Sequence, residues 1–182
     1  MTHNNRLARR VFVAGTWNSL KAREYASLAN DVGRGLAQRG FDLITGPGTG
    51  ISGEVIAGYR SIKTQGTISV YLPSAECMKL VGEEVTAEFD EVIQTNFDYP
   101  MRNVFHIKES DALVVITGGD GTFEECLPAL IDYHLPTIVI QDSGKAARAL
   151  AWLSANLFPE WKQNLHFVRS ADEVLRILGE CR

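Results

Sequence analysis

Two adjoining runs, Ala112-Leu-Val-Val-Ile116 and, past Thr117, Gly118-Gly-Asp-Gly-Thr-Phe-Glu-Glu125, decide the fold. The first is continuously apolar and ends against glycine, which predicts a strand buried on both faces, as in the interior of a parallel sheet. The second opens as a glycine-rich loop and passes into a helical pattern that reaches about Tyr133. Strand, glycine loop and helix N-terminus in that order set backbone N–H groups at the carboxyl edge of a sheet, where an anion can be held.

The same unit repeats on either side. Val11–Ala14 closed by Gly15 predicts a first strand, followed by a helix from about Leu20 to Gln38. Asp42–Thr45 predicts a second strand, Gly46–Gly50 a loop, and Ile51 to about Lys63 a helix. Further strands are expected at Thr67–Leu72, Glu91–Thr95, Thr137–Ile140 and His166–Val168. Helices are expected from Pro100 to Glu109, from Ala146 to Leu157 and at the end of the chain, the last opened by a Ser170–Glu173 capping box. Residues 74–90 carry no clear period. Strands alternating with helices predict a Rossmann-like α/β fold, a largely parallel sheet covered on both faces, with residues 1–182 as one domain.

Composition narrows the function. Hydrophobic residues at 45% and charged residues at 22% describe an ordinary globular chain, and a formal charge of −4 argues against wrapping a nucleic-acid polymer. Cys77, Cys126 and Cys181 form no C-x-x-C pair, so a reducing, cytoplasmic setting is expected, with neither a disulfide framework nor a zinc site. The apolar run behind Arg9 and Arg10 is too short for a signal peptide or a membrane span. His3, His106, His134 and His166 lack ligand spacing and read as surface or structural residues, with no metal and no cofactor expected.

Two loops are candidates for a phosphate: Gly48, Thr49 and Gly50 after the second strand, and Gly118, Gly119, Gly121 and Thr122 after the fifth. Gly48, Gly50 and Gly53 spell G-x-G-x-x-G. They follow the second strand instead of the first, however, and the next strand ends at Tyr71, Leu72 and Pro73 without the acidic residue that a dinucleotide ribose needs. Neither loop continues into the Gly-Lys-Ser/Thr of a P-loop.

Gly118, Gly119, Gly121, Thr122 and Glu125, with Tyr99-Pro-Met-Arg102 upstream and Gly48-Thr-Gly-Ile-Ser-Gly53 earlier, resemble the LONELY GUY, or lysine-decarboxylase-like, family and its P-G-G-x-G-T-x-x-E signature. The resemblance runs from about Val11 to Ile140. It implies a Rossmann-like homodimer, or a higher homo-oligomer, that hydrolyses the N-glycosidic bond of nucleoside 5′-monophosphates to free base and ribose 5-phosphate. In plants and many microbes that reaction activates cytokinins. Arg102 and Glu125 take the family's catalytic pair, and Gly119, Gly121 and Thr122 its phosphate loop. Thr117 stands where the signature has Pro, Asp120 where it has an aromatic residue, and Asn103 where cytokinin-activating members have Lys. An Arg-Asn pair is closer to the molybdenum-cofactor-carrier branch, which implies a non-catalytic carrier of a phosphate-bearing ligand as the alternative.

The chemistry suits the residues. Cleaving an N-glycosidic bond builds positive charge on the ribose, which a fixed carboxylate at Glu125 would stabilise. An arginine keeps its charge and suits a phosphate or the leaving group, so no general acid is evident. Thr122 and Glu125 also have capping-box spacing, with Thr122 as the expected N-cap. Met101, Phe105 and Ile107 read as helix packing beside Arg102, and Trp152, Phe158 and Trp161 as core or dimer packing.

Overall fold

The computed structural model describes residues 10–180. In chain order it contains β1 (Arg10–Gly15), α1 (Ser19–Ala22), a 3-10 turn (Arg23–Tyr25), α2 (Ala26–Gln38), β2 (Asp42–Thr45), α3 (Ile51–Arg60), β3 (Ile68–Leu72) and α4 (Ala75–Val81). It continues with β4 (Glu91–Gln94), α5 (Tyr99–Lys108), β5 (Ala112–Ile116), α6 (Asp120–Ile131), β6 (Thr137–Ile140), α7 (Lys145–Asn156), a 3-10 turn (Pro159–Gln163), β7 (Leu165–Val168) and α8 (Ala171–Glu180). All seven strands form one parallel sheet in the order β4-β3-β2-β1-β5-β6-β7. The fold is Rossmann-like α/β, as the alternation of the sequence requires.

Period-two alternation divides the core. Val11 and Val13 of β1 face one side with Leu43, Ile68, Val114 and Ile116, against α2, α3 and α8. Phe12 and Ala14 face the other with Tyr71, Leu113 and Val115, against Ile107 of α5, Cys126 and Ala129 of α6, and Leu150 of α7. β5 is buried at every position and lies beside β1, which takes the middle of the sheet. Strands buried on both faces are continuously apolar for this reason.

The helix expected over Leu20–Gln38 is interrupted. Asn18 caps α1 through bonds of 3.0 and 3.1 Å from the N–H groups of Leu20 and Lys21, and the 3-10 turn then separates α1 from α2. The segment 74–90 contains α4, capped by Ser74, none of whose residues is buried; without an apolar face it left no period to read. The Ser170–Glu173 box is present, Glu173 N–H donating to Ser170 Oγ (3.3 Å) and its carboxylate accepting from Arg169 N–H (2.7 Å). No helix among the described residues is long and apolar enough to cross a membrane. His3 and Cys181 lie outside the described residues.

Candidate functional site

Strand order locates the crevice. The chain steps outward from β1 through β2, β3 and β4 on one side and through β5, β6 and β7 on the other, so the topological switch falls between β1 and β5, with Gly15 paired to Ile116. The loops after β1, β2 and β5 converge there. Ile51 N–H donates to the Thr16 carbonyl (3.0 Å), which ties the start of α3 to the loop after β1.

The two glycine loops differ. A Cβ on Gly50, whose φ is +59°, would strike the backbone of Thr16 and Trp17, and one on Gly48 would strike Thr86 and Ala87. These glycines are accounted for by the protein's own close approaches, and Thr49 between them is half-buried. In the second loop, Gly118 packs against Thr122 and Gly144, and Ala146 N–H donates to its carbonyl (3.2 Å). Gly119 and Gly121 are different again: a Cβ on either would meet no atom within 4 Å. Their faces are open.

The second loop leaves β5 through Thr117, which has φ +51° and donates its N–H to Ser143 Oγ (3.0 Å). Proline, with φ fixed near −65°, cannot adopt that conformation, so the departure from the signature at Thr117 goes with a different exit from the strand. The expected capping box at Thr122 and Glu125 is not formed. α6 begins at Asp120 with Gly119 as its N-cap and no side-chain cap, which puts Thr122 inside the first turn and Glu125 nearly a full turn later. The first turn of α6 carries no side-chain cap, and Asp120 is exposed on it.

Arg102 and Glu125 come within electrostatic reach of each other beneath this edge. Asp98 caps α5 by accepting from Met101 N–H (3.2 Å), and Arg102, on the first turn, is 6% exposed. Its Nη1 donates to the Tyr71 carbonyl (3.4 Å) and its guanidinium lies 5.1 Å from the centre of the Tyr99 ring. Asn103 is buried beside it. One turn on, His106 Nδ1 stands 3.9 Å from Glu125 Oε1. The His106 ring lies between Phe12 (4.5 Å between centroids) and Tyr71 (5.8 Å, edge-on). Among the described residues neither ring nitrogen makes a well-formed hydrogen bond, nor does Arg102 Nε, while the Tyr71 backbone lies close enough to the imidazole to favour its protonated form.

Electrostatics follow from burial. Glu125 is pushed up to about 7 by desolvation, with the Arg102 charge pulling it down and Glu124 adding to the rise. Desolvation, then Arg102, takes His106 well below the ordinary histidine range, so its ring is neutral. A carboxyl group poised near neutrality beside a fixed cation can supply a negative charge or hold a proton.

His106 is buried, in keeping with the structural half of the surface-or-structural reading, and its nearness to Glu125 was not anticipated from the sequence. The available signal was its i, i+4 spacing from Arg102, which puts both on one helix face. Ile107 packs in the core as expected, Phe105 stacks between Tyr71 and Phe97, and Met101 is exposed. Trp161 is buried against Phe158, whereas Trp152 is exposed.

The profile of the SLOG cluster4 family matches residues 8–178. The chain belongs to the SLOG cluster4 family. A rice (Oryza sativa subsp. japonica) protein named "Probable cytokinin riboside 5′-monophosphate phosphoribohydrolase" is 33% identical over 129 residues, covering 70% of this chain and 54% of the rice protein. The chain thus spans about half the length of that relative. The cytokinin riboside 5′-monophosphate phosphoribohydrolase of Mycobacterium tuberculosis is 26% identical over 163 residues, 83% of this chain and 84% of that one. Among solved structures, the molybdenum cofactor carrier protein of Chlamydomonas reinhardtii superposes with a TM-score of 0.72 at 19% identity, covering 95% of this chain and 97% of that one. The likeness to the carrier protein is one of fold.

Proposed function

We propose that this protein is a nucleoside 5′-monophosphate phosphoribohydrolase, cytoplasmic and at least dimeric. The observation that carries the reading is that Arg102, buried on α5, and Glu125, mostly buried on α6, 23 positions apart in sequence, lie within electrostatic reach of each other under the switch-point crevice. The names of the rice and mycobacterial relatives support the same reaction.

In this reading the 5′-phosphate rests on Gly119, Gly121 and the first turn of α6, where open glycine faces and uncapped N–H groups leave room for it. Gly48, Thr49 and Gly50 wall the crevice, and Gly118 and Thr122 hold the loop's shape. The ribose lies over Glu125, whose carboxylate stabilises the positive charge that develops at the anomeric carbon as the bond to the base breaks. Arg102 holds the phosphate or the leaving base. Water adds to the anomeric carbon and gives up a proton, the departing base nitrogen gains one, and the products are free base and ribose 5-phosphate.

Buried Asn103, beside Arg102, favours a second reading, a non-hydrolytic carrier of a phosphate-bearing cofactor resembling the molybdenum cofactor. Incubation with a panel of nucleoside 5′-monophosphates, with released base followed by chromatography, separates the two. Base release from at least one member that is lost in Glu125→Gln is the expected result. No release from any member, together with binding of a phosphate-bearing pterin, would replace the hydrolase with the carrier.

A further inference from the structure

His106 has no part in the chemistry just described, yet its placement is specific. It is 1% exposed, whereas the Glu125 side chain in front of it is 13% exposed, so a ligand in the crevice meets Glu125 and not the imidazole. A phenylalanine would fill the same space between Phe12 and Tyr71. With the Tyr71 backbone facing the ring on one side, an imidazole there still leaves a buried nitrogen without a partner, which is unfavourable unless that nitrogen is used. Across the helix pair, Glu125 Oε1 stands 3.9 Å from Nδ1.

We infer that His106 is the positioning residue of Glu125, closing the 3.9 Å gap by a small side-chain rotation and orienting the carboxyl group through Nδ1 in both of its protonation states. This rests on the hydrolase reading and deepens it. A neutral imidazole carries one N–H on either nitrogen. With the proton on Nδ1 it donates to the Glu125 carboxylate, and with the proton on Nε2 it accepts from the Glu125 carboxyl O–H. The groups facing the pair are Arg102 on α5, Tyr71 on β3, and Glu124 and Cys126 on α6, with apolar Phe12 from β1. Burial and Arg102 keep the imidazole neutral, so it acts by hydrogen bonding and not as a second cation. A hydrogen bond to a carboxylate is stronger than one to a carboxyl group, so His106 favours the ionised form of Glu125.

The test is the titration of Glu125 itself, read by NMR of protein carrying ¹³C-labelled glutamate and assigned with Glu125→Gln. His106→Phe should raise the Glu125 midpoint by about one pH unit, and the acid limb of the base-release profile with it. His106→Asn, which restores an N–H close to Nδ1, should bring both back towards wild type. A His106→Phe protein whose Glu125 titrates with the wild type overturns the inference. Should His106→Phe fail to fold, ¹⁵N-histidine spectra of the wild type decide. A neutral ring whose tautomer changes in step with Glu125 supports the role, and a ring blind to that titration, or one that becomes imidazolium within it, removes it. A wild type that releases no base but shows the coupled titration keeps the pair and removes the hydrolase.

Discussion

Glu125 is held between opposing forces, and its response to pH follows from their balance. Its carboxyl binds a proton more tightly in the folded protein, where its pKa is about 7, than in the unfolded chain near 4.5. The raised value means that this group contributes stability fully below about pH 4.5 and that the contribution is lost as pH rises through 7, by up to about 3 kcal/mol. Glu125→Gln removes the ionisation. It should therefore melt higher than the wild type at pH 9 and nearly with it at pH 5, measured by calorimetry, while losing base release by about 100-fold or more. Equal melting curves at pH 9 would mean that Glu125 is better solvated than its position implies. In the proposed site Asp120 acts in the opposite sense, since its exposed carboxylate sits on the first turn of α6 and would repel a phosphate bound there. Asp120→Asn should tighten nucleotide binding by about 2- to 5-fold, in line with a helix-terminus charge effect of about 0.3–1 kcal/mol. Titration calorimetry at low salt measures it, and unchanged affinity would take the phosphate away from this turn.

At the level of elements, the loop between β5 and α6 joins two kinds of glycine with different work. Gly118, at φ +150° and packed on Thr122, cannot accept a Cβ without strain and displacement, so Gly118→Ala should cost about 1–3 kcal/mol in chemical denaturation. Gly119 has φ −115° and open space beside it, so Gly119→Ala should stay within about 1 kcal/mol of wild type. If that space belongs to a phosphate, the same methyl lowers nucleotide affinity by about 10-fold or more, the effect of displacing a charge-assisted hydrogen bond. A stable Gly119→Ala protein that binds as the wild type does would assign the opening to solvent. α5 and α6 supply the other half of the site by packing one Arg102–His106 face against Glu125.

For the whole molecule, the ligand should be recognised through its phosphate. At 100 times its dissociation constant, a ligand that binds only the folded state adds about 2.7 kcal/mol, or roughly 5–11 °C in melting temperature for a chain of this size. AMP is expected to give such a shift and adenosine little; equal shifts would dissociate the glycine loop from recognition. Light scattering at micromolar concentration should give a mass of at least two 20.1 kDa chains. A monomer would remove the dimer.

The sequence by itself determined the elements. All seven strands lie within two residues of their expected limits, the inner ones because a strand buried on both faces must be apolar along its length, whereas β4 at the sheet edge is mostly exposed. Both glycine loops were legible for the same local reason, as were Arg102 and Glu125 through the family signature. The α1–α2 break, the course of 74–90 and the first residue of α6 were not, since they depend on how a turn docks and not on a period. Only the tertiary structure decided which loops face each other. β1 and β5, a hundred residues apart, pair because hydrogen-bonding partners and buried faces are matched across the whole sheet. That pairing seats α5 against α6, and with it His106 behind Glu125. Desolvation and the Arg102 charge then set both ionisations, and these are properties of a buried volume that spacing along a chain does not encode.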